Sequence, residues 1–347
     1  MADYRNRRAT SIDNGILRVT VLNEGGHVAE IADVTTGTNP LWTPRWPSIE
    51  PSAFDPSLHG AIYGDGADAP LLAGIMGHNL CLDIFGGPSD EEYRAGVPVH
   101  GEVSTAAFAI EASGASLAMR TELREARLRF ERRIDLAERV VRIRETVENL
   151  AATDRPVAWT QHVTLGPPFL HKGQTGLRVS AERSRVFESR FGPADYLVEG
   201  ADFEWPWAPR AGGGVADLRT FTDAASSSGY TAHQMNPARE HAFAVAFSPA
   251  SRMAFGYVWR REDFPWMGLW EENHARTAAP WNAATLTRGL EFGVSPFPET
   301  RRQMIDRGTT FGTPGYRWIP ARATVAVEYC AVLKPAIEIP DELLWPV

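Results

Sequence analysis

The chain has 347 residues, 44% hydrophobic and 22% charged, an ordinary globular composition with enough apolar mass for a large core, which excludes disordered and fibrous classes. Its formal charge of −8 argues against nucleic acid or an anionic membrane as partner, since both demand a basic face. Two cysteines, Cys81 and Cys330, are too few for a disulfide scaffold, and an N-terminus that is charged where a signal peptide is apolar leads us to expect a cytoplasmic protein without a membrane span.

Taken in chain order, strand signals fall over 16–22, 28–34, 106–111, 116–123, 128–136, 140–150 and 157–165. In 128–136 the residues Leu128, Phe130, Arg132, Ile134 and Leu136 share one face and Arg129, Glu131, Arg133 and Asp135 the other, the alternation of a strand with one buried and one wet side. The next strand sets Val141, Ile143 and Glu145 against Arg142, Arg144 and Thr146, which predicts a long antiparallel meander. Prolines and glycines are spread along the chain, and no segment holds a helical period. These features favour one all-β sandwich over residues 1–347, with less than about 15% helix. Glycine- and serine-rich stretches around 212–214 and 226–229 are expected to be surface loops.

Four places concentrate residues able to do chemistry: GIMGHNLCLDIFGG with His78 and Asp83, VPVHGEVS with His100 and Glu102, WTQHVTLGPPF with His162, and LTRGLEFGVSPFPE with Glu291. Each sets a titratable side chain beside glycine or proline, at a turn or strand edge where it can face a cleft. Each also has a plainer reading. His162 could be a hydrogen-bonded structural residue, and Glu291 the wet position of an alternating strand. His100 and Glu102, at i and i+2 on one strand face, suit metal ligation or an ion pair equally. Tryptophans crowd the segment before Glu291. The run DFPWMGLWEENHARTAAPW mixes Trp270 and Trp281 with Glu271, Glu272, Asn273, His274 and Arg276, the composition of a cleft-lining loop whose indoles could pack on the C–H face of a sugar.

In their order along the chain, LRVTVLNEGGHVAEI, GIMGHN, VHGE, QHVTLGPPF and GLEFG make the sequence resemble the aldose 1-epimerase, or galactose mutarotase-like, superfamily. The resemblance implies a large antiparallel β-supersandwich with a monosaccharide bound across one curved sheet. It also implies that Glu291 is the general base on the anomeric hydroxyl and His162 the general acid on the ring oxygen, with no cofactor or metal required. Expected substrate contacts are His78, His100, Glu102, Trp270, Glu272 and Trp281. Gly77-His78 stands where the family carries Gly-Arg, and the family's sugar-binding aspartate falls among Asp202, Asp217 and Asp223 without distinction. Two other readings stay open: a carbohydrate-binding protein of the same fold without catalysis, and a metal-dependent isomerase or lyase using His78, His100, Glu102 and His162.

Overall fold

The computed structural model describes residues 2–346, of which 45% are in strands and 9% in helices. Two antiparallel sheets dominate, one of twelve strands and one of eight. The alternating segments form the smaller sheet as a meander of Ala109–Ser113, Ser116–Leu123, Leu128–Ala137 and Val140–Asn149. That meander ends earlier than its pattern suggested. After Asn149 the chain crosses over, and Arg155–Leu165 enters the twelve-stranded sheet between His78–Asp83 and Leu286–Gly293.

Between the sheets lies the main core. Phe130, Ile134, Ile143 and Val147 come from the smaller sheet, and Trp159, Val163, Leu290 and Phe292 from the larger. Arg132 and Glu145, which share the inward parity of their strands, sit directly opposite each other and meet inside this core. Arg132 Nε donates to Glu145 Oε1 at 2.8 Å and Nη1 donates to the Gly26 carbonyl at 3.0 Å. Glu145 Oε2 accepts from Trp159 Nε1 at 2.8 Å and Gln161 Nε2 at 2.7 Å, and the Tyr329 hydroxyl lies 2.8 Å from Glu145 Oε1. Burying the pair is tolerable only because nearly every donor and acceptor around it is occupied.

The twelve-stranded sheet is buried on its other face too. Trp42, Trp46, Leu71, Leu72, Phe85, Tyr230, Trp270 and Trp281 form a second cluster there. Short helices Pro56–Tyr63 and Ala69–Gly74 lie in this covering layer, and Arg301–Arg307 adds Met304 to it. They are too short to show a period in sequence. Their signals are instead local: Asp55 accepts from Ser57 N at one N-terminus, and Thr300 and Gln303 form a capping box at another. The expected loop at 226–229 is mostly strand, since Ser227–Met235 pairs along its length with Trp266–Asn273. Its small residues are what a strand buried in a crowded sheet can accommodate.

Candidate functional site

Cross-strand register builds the centre of the site. His162 lies directly opposite Glu291 on one side and Asn79 on the other. Directly paired residues project from the same face of a sheet, so these three side chains point into the covering layer while Gln161, Val163 and His78 point into the core. His162 Nε2 is 3.1 Å from Glu291 Oε1, and Thr164 Oγ1 lies 3.2 Å from His162 Nδ1. Glycines leave room for this. Gly268 is paired with Glu291, and a Cβ there would run into the Tyr230 hydroxyl. A Cβ at Gly289 would lie 2.5 Å from Glu291 Oε1.

The pair opens on a cavity of about 120 Å³ lined by His100, Trp270, Trp281, Arg276, Phe191 and Asp68, among others. That is well below the several hundred Å³ of a drug-sized pocket and on the scale of a single sugar ring. Glu291 is 2% and His162 6% exposed. Burial pushes the Glu291 carboxyl up to about 8, with the Arg276 guanidinium pulling the other way. Burial also pushes His162 down to about 4. At neutral pH the pair therefore rests uncharged and holds one exchangeable proton, on Glu291, which donates to His162 Nε2.

The four sequence motifs do not all converge. His78 is a core residue: its Nδ1 lies 3.0 Å from the Tyr257 hydroxyl and its Nε2 2.9 Å from Gln161 Oε1. Because Gln161 Oε1 can only accept, His78 carries its proton on Nε2, and burial with the nearby Arg132 keeps it neutral, well below its usual pKa. The one-residue offset between His78 and Asn79 places the histidine on the wrong face for substrate. Asp83 is likewise structural. Burial would raise its pKa, but the guanidinium groups of Arg155, at 2.6 Å, and Arg301, at 2.6 Å, hold its carboxyl down.

His100 does reach the cavity, with its ring centroid 5.0 Å from that of His162. It is not on a strand. His100 and Gly101 both have positive φ, at 67° and 80°, and the chain then enters a 3-10 turn at Glu102–Ser104. Glu102 therefore turns away and accepts from Ala126 N at 2.8 Å. Trp270 and Trp281 line the cavity as expected. Glu272 does not. Its Oε1 accepts from Ala275 N at 2.7 Å and Arg276 N at 3.0 Å, which fixes the loop that carries Arg276. The aspartates are surface ion-pair partners or exposed: Asp202 binds Arg185, Asp217 binds Arg219, and Asp223 is solvent-exposed. With His78 in the core and Glu102 on Ala126, the proposed metal-ligand set is dispersed. No other group of three or more His, Cys, Asp or Glu poised to hold an ion occurs among the described residues.

Sequence reasoning missed Asn79 and Asp68, and held Arg276 only as one residue of the run expected to wall a cleft. Both amide atoms of Asn79 are buried without a partner, as are Trp270 Nε1 and His100 Nδ1. Unpaired buried polar atoms are costly. Those of His100 and Trp270 belong to residues that line the cavity, and Asn79 is the cross-strand neighbour of His162, a placement that suits a hydroxyl-rich ligand. No local pattern could have identified Asn79, because its strand is buried at every position.

No family model matches the chain, and no curated protein matches it in sequence. Solved structures do match in fold. A galactose mutarotase related enzyme from Lactobacillus acidophilus is 11% identical, with a TM-score of 0.62 over 96% of this chain and 100% of that one. A galactose mutarotase-like protein from Clostridium acetobutylicum is 12% identical, with a TM-score of 0.59 over 96% and 100%. Another from Lactobacillus casei is 13% identical, with a TM-score of 0.54 over 94% and 100%. The chain thus has the galactose mutarotase-like fold, an antiparallel β-supersandwich, and carries a buried histidine–glutamate pair on the cavity face of its larger sheet.

Proposed function

We propose that this protein is an aldose 1-epimerase-like isomerase that interconverts the anomers of a monosaccharide. The observation that carries the reading is the His162–Glu291 pair, one acid and one base 3.1 Å apart in a cavity the size of a sugar ring. Ring opening removes a proton from the anomeric hydroxyl O1 and delivers one to the ring oxygen O5 as the C1–O5 bond breaks. Glu291 takes the first and His162 gives the second. Rotation about C1–C2 presents the other face of the aldehyde, and closure returns both protons, so the pair ends as it began.

The uncharged resting pair is the state left by ring opening. The charge-separated state that starts the reaction is reached by passing the proton from Glu291 to His162 across their contact. Arg276, which lowers the Glu291 pKa, favours that transfer. Positioned proton carriers contribute about 10²–10⁴-fold each. Both His100, neutral because burial and then His162 push its pKa well down, and Trp270 offer ring nitrogens to the sugar hydroxyls.

The test follows anomer interconversion of freshly dissolved α-anomers by optical rotation, with thermal midpoints alongside. Glu291→Gln and His162→Asn should each lower the rate about 10²-fold or more while the fold persists. The double variant should be far less impaired than the product of the singles, because one concerted event uses both groups. Activity unchanged in Glu291→Gln sinks the assignment. Wild-type binding of sugars without interconversion of any would make the protein a carbohydrate-binding one.

A further inference from the structure

Arg276 is the one guanidinium in the cavity wall, and its surroundings are unusual for a structural arginine. The side chain is 27% exposed, and its guanidinium carbon lies 4.8 Å from the ring centroid of Trp281, 5.5 Å from that of Trp270 and 5.7 Å from that of Phe191. Three aromatic rings thus pack around the group without accepting a hydrogen bond from any of its N–H donors. No side-chain hydrogen bond from Arg276 is made to any described residue. The nearest carboxylate, Glu272, approaches Nε only to 3.6 Å and is already committed through its other oxygen to two backbone amides. Asp68 shares the cavity lining but is solvent-exposed, so its charge is screened. Elsewhere in the molecule, the buried arginines Arg132 and Arg7 are each held by a carboxylate and backbone carbonyls, whereas the buried Arg288 makes a single hydrogen bond among the described residues, to the Leu218 carbonyl. Arg132 is bound to Glu145 and the Gly26 carbonyl, and Arg7 to Glu50 and the carbonyls of Gly74 and Glu24.

A guanidinium packed against two indoles, with its donors left open beside an acid/base pair, is suited to receive an acceptor-only group. A neutral sugar hydroxyl uses one such donor. An oxyanion uses two and also offsets the charge.

We propose that Arg276 is a specificity residue that binds an oxyanion substituent, carboxylate or phosphate, of the sugar, so that the preferred substrates are anionic monosaccharides. This rests on reading the cavity as a sugar site. Glu272 is the positioning residue behind it, since its two bonds to the backbone amides of 275 and 276 set where the guanidinium lies.

The test measures binding and chemistry separately, on galactose, galacturonate, glucose, glucuronate and glucose 6-phosphate. Calorimetric titration of the wild type should give affinity for at least one anionic sugar about 10–100-fold above its neutral counterpart, the range for a charge-assisted pair. Arg276→Gln should abolish that ratio, lowering affinity for the anionic sugar far more than for the neutral one, and an unchanged thermal midpoint reports that the variant is folded. Arg276→Lys, which keeps charge but not the fork or the stacking, should fall between. Whether uronates or the 6-phosphate gain more distinguishes the two oxyanions. An equal affinity for neutral and anionic sugars in the wild type, or a preference that survives Arg276→Gln, overturns the proposal. Anion-selective binding without anomer interconversion would leave Arg276 in place and remove the epimerase reading. Interconversion of neutral sugars with no anion preference would do the reverse.

Discussion

Glu145 is the hub of the polar cluster between the sheets, and the structure predicts an unequal cost for breaking it from its two sides. Replacing Arg132 with Met removes one buried partner. Glu145 then keeps Trp159 Nε1, Gln161 Nε2 and the Tyr329 hydroxyl around its carboxylate, so the loss should sit at the lower end of what a broken buried pair costs, about 3 kcal/mol. Replacing Glu145 with Leu leaves the fully buried Arg132 guanidinium uncompensated and orphans the Trp159 and Gln161 donors as well. At about 1–3 kcal/mol for each of these two orphaned donors on top of about 3–5 kcal/mol for the unpaired charge, the total is about 5–11 kcal/mol. With an unfolding entropy of about 2.1 cal/mol/K per residue, each kcal/mol moves the midpoint of a chain this long by about 1.4 °C. The expected shifts are about 4 °C for Arg132→Met and about 7–15 °C or outright failure to fold for Glu145→Leu, read by calorimetry at pH 7. Equal shifts, or a larger one for Arg132→Met, would refute the hub assignment.

Because the proposed reaction needs one proton on the His162–Glu291 pair, the rate of interconversion should be bell-shaped in pH, falling below about 4 as both groups hold protons and above about 8 as both lose them; a flat profile between pH 3 and 10 counts against the pair. Stability should carry the same signature. The folded pKa of Glu291 is raised above the ordinary 4.5, so its contribution is full below that value and is lost as pH climbs toward 8. The midpoint of Glu291→Gln relative to wild type should therefore rise between pH 5 and pH 8.5, and a constant difference would show that Glu291 is not the buried acid described. Gly289→Ala should press on Glu291 Oε1 and cut the rate at least about 10-fold with a midpoint change of a few degrees at most; an unimpaired variant would mean that the carboxylate has room to move.

The strands with one wet face were legible, and those buried on both were not. Leu128–Ala137 alternates along its whole length, and its burial follows. His78–Asp83 is buried at every position, as a strand between two packed layers must be, so HNLCLD gives no parity and the choice between His78 and Asn79 could not be made from pattern. His162 and Glu291 were found through the ordered resemblance, and what brings them together is a cross-strand register that no local motif encodes. Glu102 was misplaced because the left-handed backbone at His100 is invisible in VHGE, although the following glycine hints at a turn. Arg276 was hidden among 33 arginines. Only the fold shows that this one lies against aromatic rings in the cavity wall with no side-chain hydrogen bond to any described residue.

The covering layer gathers Trp42, Trp46, Trp270 and Trp281 into one run of touching indoles, with centroid separations of 5.4 Å, 5.1 Å and 6.0 Å along the chain Trp42–Trp46–Trp281–Trp270 and the rings of Trp42 and Trp281 within 3° of parallel. At such separations the indoles share excitation energy and respond as a group. Because two of them wall the cavity and Arg276 rests on both, an arriving ligand that shifts the guanidinium alters the optical transitions of the whole run. The molecule carries its own reporter. Intrinsic emission and near-ultraviolet dichroism should register occupancy of the cavity without any label, and a spectrum collected against a panel of sugars would sort ligands before any enzymatic assay is chosen.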